Sequence, residues 1–119
     1  MKIELLQEEY SLLLPLLKDH ISEYYSEIRH TMTSSYKDHL KRKKQQLINL
    51  YYTLESTETG SILLTPEQTR NFIDFLQNQL HDMPSEIWHT DNSEWRSKLK
   101  SRKRMFACLL KKAEGELLN

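Results

Sequence analysis

Cysteine is nearly absent from this chain: the single Cys108 rules out an internal disulfide and suits a reducing compartment. Glycine (two residues) and proline (three) are scarce as well, which leaves little material for turns and favours a few long helices over many short strands. An excess of charge of either sign is also missing, because 17 Lys and Arg balance 17 Asp and Glu. No overall field therefore steers the molecule toward nucleic acid or an anionic membrane, and any electrostatic role has to come from local segregation. No apolar run approaches the roughly 20 residues that a membrane span needs; the longest covers residues 12–17. The polar opening MKIELLQEEY has no apolar signal segment, so a cytoplasmic location is expected. At 119 residues the chain has the length of one ordinary domain, enough to bury a core without metals or cross-links.

What the sequence does contain is a duplication. Residues 26–55 align with residues 85–114 at a constant offset of 59 without a gap, and the match extends backward through Ile3/Ile62, Leu5/Leu64, Glu8/Glu67 and Leu17/Leu76. Over residues 3–55, 15 of the 53 aligned pairs are identical. Self-similarity at one fixed period means that a single supersecondary unit is used twice.

Each copy carries two helical stripes. Tyr10, Leu14, Leu17, Ile21, Tyr24 and Ile28 recur as Thr69, Ile73, Leu76, Leu80, Met83 and Ile87, with Leu13 and Phe72 widening the stripe. A second stripe runs through Tyr36, Leu40, Leu47, Leu50 and Leu54 and repeats as Trp95, Leu99, Phe106, Leu109 and Ala113. Thr65-Pro66-Glu67-Gln68 is a helix-start signal, since Thr caps, Pro needs no amide donor at the first position and Gln completes a capping box. Returning helices are expected to be capped by Thr33, Ser34 or Ser35 in the first copy and by Asp91 or Asn92 in the second. The pattern predicts an all-α four-helix bundle of two tandem antiparallel hairpins related by a pseudo-two-fold. The first repeat covers about residues 3–55, the linker residues 56–61 and the second repeat about residues 62–114, all in a single domain. Pro15 is expected to kink the first helix and Pro84 to break or bend its counterpart. The Ile3/Leu5 and Ile62/Leu64 stretches are expected as short extended cover rather than a paired ribbon, because isolated strand pairs are marginal.

The densest identity lies in the E-I-x-H-T segment: Glu27, Ile28, His30 and Thr31 recur as Glu86, Ile87, His89 and Thr90. E-x-x-H on two helices is half of a dinuclear carboxylate site. The carboxylates that would complete it, Glu55 and Glu114, fall at the far ends of the returning helices, so no metal or cofactor is expected. The segment reads instead as structural. Glu and Thr would accept from the first amides of the returning helix, Ile28 and Ile87 would plug the core, and the histidines would sit partly exposed in the turn.

At this corner the sequence resembles small bacterial helical-hairpin proteins of unassigned function that carry E-I-x-x-T-D followed by an aromatic, a basic residue and a leucine. The matching residues are Glu86-Ile87-Trp88-His89-Thr90-Asp91 with Trp95, Arg96 and Leu99, and Glu27-Ile28-Arg29-His30-Thr31 with Tyr36, Lys37 and Leu40; Met32 stands where Asp is expected. The resemblance covers one hairpin, matched twice. It implies a bacterial source and a helical fold, with this chain as a fused pseudo-dimer of single hairpins.

Charge is segregated by helix. Lys41-Arg42-Lys43-Lys44 and Lys98 to Arg104 open the returning helices, while acids crowd the outgoing ones. Ion pairs between neighbouring helices are the simplest expectation. Lys43 and Arg102 fall on apolar spacing and are expected to snorkel or to pair with Glu23 or Asp82. Lys41, Arg42, Lys44, Lys100, Lys103, Arg104 and an exposed Trp88 are the candidate contacts for a partner, either a protein or the phosphates of a nucleic acid. Trp95 takes a core position, and Cys108 lies among leucines as a buried, inert thiol. No glycine-rich phosphate loop, Cys/His metal spacing or activated nucleophile is present, so the chain is expected to be non-enzymatic. The expected role is protein–protein interaction or regulation, in a monomer or weak homodimer without membrane contact. A nucleic-acid-associated protein is the alternative.

Overall fold

The computed structural model describes residues 1–57 and 60–118; Glu58 and Thr59 of the expected linker lie outside the described residues. The order of elements is β1 (Lys2–Glu4), α1 (Gln7–Arg29), α2 (Ser34–Glu55), β2 (Ser61–Leu63), α3 (Pro66–Trp88) and α4 (Ser93–Leu118). Every element of the second copy begins 59 residues after its counterpart, and α1 and α3 have the same length of 23 residues. The chain is all-α, with α1 packing on α2 and α3 on α4 as two antiparallel hairpins. Two compact units result, Lys2–Leu64 and Thr65–Asn119, the latter together with Met1.

The start of α3 follows from its sequence. The Thr65 hydroxyl accepts from the Gln68 amide at 3.0 Å, the Gln68 side chain accepts from the Thr65 amide at 3.0 Å, and Pro66 fills the first position. Thr65→Ala should therefore destabilise the protein by about 1 kcal/mol in urea unfolding, whereas an unchanged midpoint would show that Pro66 alone suffices. In the first copy Leu6 takes the capping position and has no hydroxyl. The Glu9 carboxylate, at the position of Gln68, still accepts from the Leu6 amide at 2.8 Å and is buried there.

Neither proline breaks its helix. α1 begins at Gln7 and passes through Pro15, and α3 runs without interruption through Pro84 to Trp88. Both are exposed, so the missing amide and the ring lie on the solvent side, where water can satisfy the freed carbonyl.

The matched apolar stretches do pair, contrary to the expectation of unpaired cover. β1 and β2 form an antiparallel ribbon with Ile3 opposite Ile62, and the Leu5 amide donates to the Gly60 carbonyl to extend the ladder by one residue. A Cβ at Gly60 would meet the Leu5 carbonyl at 3.2 Å, so glycine suits this close approach. Ile3 and Ile62 are equivalent in the duplication, so a local two-fold passes through their pair. The ribbon is stabilised by burial: Ile3, Leu5, Ile62 and Leu64 are all buried, and β2 lies against α2. Packing on a helix supplies what an isolated pair of strands lacks.

In the first unit Leu13, Leu17, Leu40, Leu47, Leu50 and Leu54 complete the core. The Tyr10 hydroxyl ties the start of α1 to the end of α2 by donating to the Leu54 carbonyl at 2.7 Å. In the second unit Phe72, Phe75, Leu76, Leu99, Phe106 and Leu109 are buried. The stripes thus fall where the 3.6-residue period puts them.

Two expectations fail at the stripe edges. Trp95 is 42% exposed and its counterpart Tyr36 48% exposed; both stand in the first turn of a returning helix, beyond the end of the packed core. Cys108 is exposed as well. It lies two residues past Phe106, about 200° around the helix, and so points away from the buried face.

Candidate functional site

The two E-I-x-H-T corners close their helices in the same way, and the closure runs opposite to the expected direction. The Thr31 hydroxyl donates to the Glu27 carbonyl and the Thr90 hydroxyl to the Glu86 carbonyl, both at 2.6 Å, so each threonine satisfies the end of the outgoing helix. His30 donates from Nδ1 to the Ser26 carbonyl at 2.7 Å. The returning helices are capped otherwise. Asn92 accepts from the Trp95 amide through Oδ1 at 3.0 Å, whereas Thr33 occupies the capping position of α2 without a side-chain bond. Arg96 adds a donor from Nη2 to the Thr90 carbonyl. Ile28 is buried as a plug, but Ile87 is only half-buried.

Glu27 also sets the chemistry of two tyrosines. The Tyr36 hydroxyl donates to Glu27 Oε1 at 3.2 Å, and the nearby carboxylate raises the Tyr36 pKa by charge repulsion against the phenolate and by favouring the protonated donor. Tyr24 is raised too, first by burial and then by Glu27. Since deprotonation would set two negative charges side by side, Tyr36 should titrate above the ordinary tyrosine range, and Glu27→Gln should bring it back down. The phenolate absorbance lost on Tyr36→Phe, taken once in the unsubstituted protein and once in Glu27→Gln, measures this; an unmoved titration would contradict the pairing.

The histidines and carboxylates of the corners are exposed, and among the described residues no three His, Cys, Asp or Glu side chains gather as a metal-binding group. The polar side chains His81, Asp82, Ser85 and Glu86 of α3 and His89 just after it share one shallow face.

The adjoining face of the second hairpin is different. An open groove of about 580 Å³ lies between the last turns of α3 and the first half of α4. Pro84, Ile87 and Ala107 form its apolar lining, Trp88 stands at its edge with 85% of its surface exposed, and Lys100, Lys103 and Arg104 complete it. The spacing brings them together: 84, 87 and 88 lie one turn apart on α3, and 100, 103, 104 and 107 form one face of α4. Four of the residues singled out from sequence, Trp88, Lys100, Lys103 and Arg104, therefore share a single site. Among the described residues none of these three cations forms an ion pair, so the expected exchange of charge between opposed helices does not occur here.

The first repeat does not reproduce this arrangement. Tyr25 stands at the position of Pro84, and Lys44, at the position of Lys103, lies over its ring at 4.1 Å from the centroid. Lys41 and Arg42 are exposed. Lys43 is half-buried, as is Arg102, which lies over the Trp95 ring at 5.2 Å rather than pairing with Asp82. The duplication supplied both repeats with two of these cations, Lys41/Lys100 and Lys44/Lys103, while Gln45 stands opposite Arg104, Arg29 opposite Trp88 and Tyr25 opposite Pro84. Sequence reading found the cations and Trp88, took Ile87 as a core plug, and missed Pro84 and Ala107; a proline opposite Tyr25 was the available signal.

No family model, curated protein or solved structure matches the chain. No helix is long and apolar enough to cross a membrane, among the described residues.

Proposed function

We propose that the protein is a non-enzymatic interaction module that binds another protein through the second hairpin, in the cytoplasm of a bacterium. One observation carries the reading: an almost fully exposed tryptophan beside an apolar groove and three cations that form no ion pair among the described residues. Exposed Trp and Arg are the side chains most enriched where binding energy concentrates, because each removes a large amphipathic surface from water on contact. The second reading, nucleic-acid binding, draws on the same cations and the same tryptophan. It is the weaker one because the lining between the cations is apolar, which suits a side-chain anchor and not a phosphate backbone.

A photo-reactive amino acid at position 88, expressed in the source cell, separates the two. The expected adducts resist nuclease and disappear when the probe is moved to Tyr52, which is also exposed but lies on the first hairpin. Adducts that nuclease removes would decide for nucleic acid.

A further inference from the structure

Resting on that reading, we infer that the groove of the second hairpin takes an acidic amphipathic helical segment of a partner protein, with an aromatic or large aliphatic anchor against Trp88 and Ile87. Shape argues for a helix. The lining of α4 from position 100 to 107 spans about 10 Å, roughly two helical turns, and a channel between two antiparallel helices accepts the ridge of a third. Apolar anchors spaced three or four residues apart on the partner would meet Pro84, Ile87 and Ala107 together.

Charge argues for acidity. Lys100, Lys103 and Arg104 contribute three positive charges to the groove, no carboxylate lines it, and none of the three is neutralised by an ion pair among the described residues. A partner carrying Glu or Asp beside its anchors would supply the missing countercharges, and one carrying Lys or Arg would be repelled. In the first repeat the corresponding lysine is already engaged, since Lys44 lies over the Tyr25 ring at 4.1 Å from its centroid, and Gln45 stands in the place of Arg104. The partner is therefore expected at the second hairpin alone, despite the duplicated sequence.

The test pans a displayed library of random peptides, about 16 residues long so that a bound helix outreaches the groove, on the full chain at low salt. Expected is enrichment of acidic sequences with anchors at helical spacing. A synthetic representative should bind with its affinity lowered about tenfold or more by Trp88→Ala and likewise by Lys103→Glu combined with Arg104→Glu. Pro84→Tyr, which offers Lys103 the ring that engages Lys44 in the first repeat, should abolish binding while circular dichroism and thermal midpoint confirm an intact fold. Failure to enrich any sequence, or acidic peptides indifferent to all three variants, would overturn the inference. Neutral or basic peptides lost on Trp88→Ala would overturn the acidic occupant and leave the interaction module standing. Competition by a mixed-sequence oligonucleotide in place of peptide binding would overturn both, and self-association abolished by Trp88→Ala would assign the groove to a second copy of this chain.

Discussion

Replacing Phe72 with alanine is expected to destabilise the protein by about 3–5 kcal/mol, the largest single loss available to an uncharged substitution here. The ring is fully buried on α3, in the stripe that faces α4, with Leu76 one turn on and also fully buried. Removing it forfeits the transfer energy of the aromatic ring and leaves a void that two long helices cannot close without bending. A domain of this size has a total stability of about 5–15 kcal/mol, so the variant would approach the limit of folding. Urea unfolding measures the loss. Trp88→Ala serves as the contrast, since an exposed side chain should shift stability by less than about 0.5 kcal/mol. A Phe72→Ala loss near that of Trp88→Ala would mean the second hairpin is not packed around this stripe.

The second large effect is expected at the ribbon. Ile3→Ala and Ile62→Ala should each lower stability by about 2–4 kcal/mol, because both side chains are 1% exposed although they lie in strands of only three residues. Because they face each other across the local two-fold, the double variant should lose less than the sum, with a coupling of about 0.5 kcal/mol or more. Additive losses would indicate two separate contacts with the helices rather than a cross-strand pair. Losses of this size are large for a two-stranded ribbon, since isolated strand pairs are marginal.

How far the sequence revealed this architecture differs from one element to the next, for identifiable reasons. The start of α3 was legible because Thr65, Pro66 and Gln68 each satisfy a different requirement of a helix N-terminus. The equivalent start of α1 was concealed, since Leu6 offers no capping oxygen and the task falls to a Glu9 whose burial no composition rule anticipates. The ribbon was underestimated because the stability of two short strands depends on the helix they cover, a tertiary term absent from local pattern. Trp95 was misplaced by extending the apolar stripe one turn too far, past the point where packing ends. Thr31 and Thr90 were read as acceptors for the following helix, whereas a hydroxyl four residues after a carbonyl can donate to it directly. At the groove, residue identities were visible and their convergence was not: only the three-dimensional meeting of α3 and α4 shows that Trp88, Lys103 and Arg104 share one site with Pro84.

One strand–helix–helix unit occurs twice in this chain at an offset of 59. Backbone-assigned nuclear magnetic resonance on the full chain tests it most directly. The account predicts helical shifts over residues 7–29 and 66–88 with matching first turns at 34 and 93, together with a cross-strand Overhauser contact between Ile3 and Ile62. Helices that begin at unrelated positions in the two halves, or an Ile3 that shows no contact with Ile62, would contradict it.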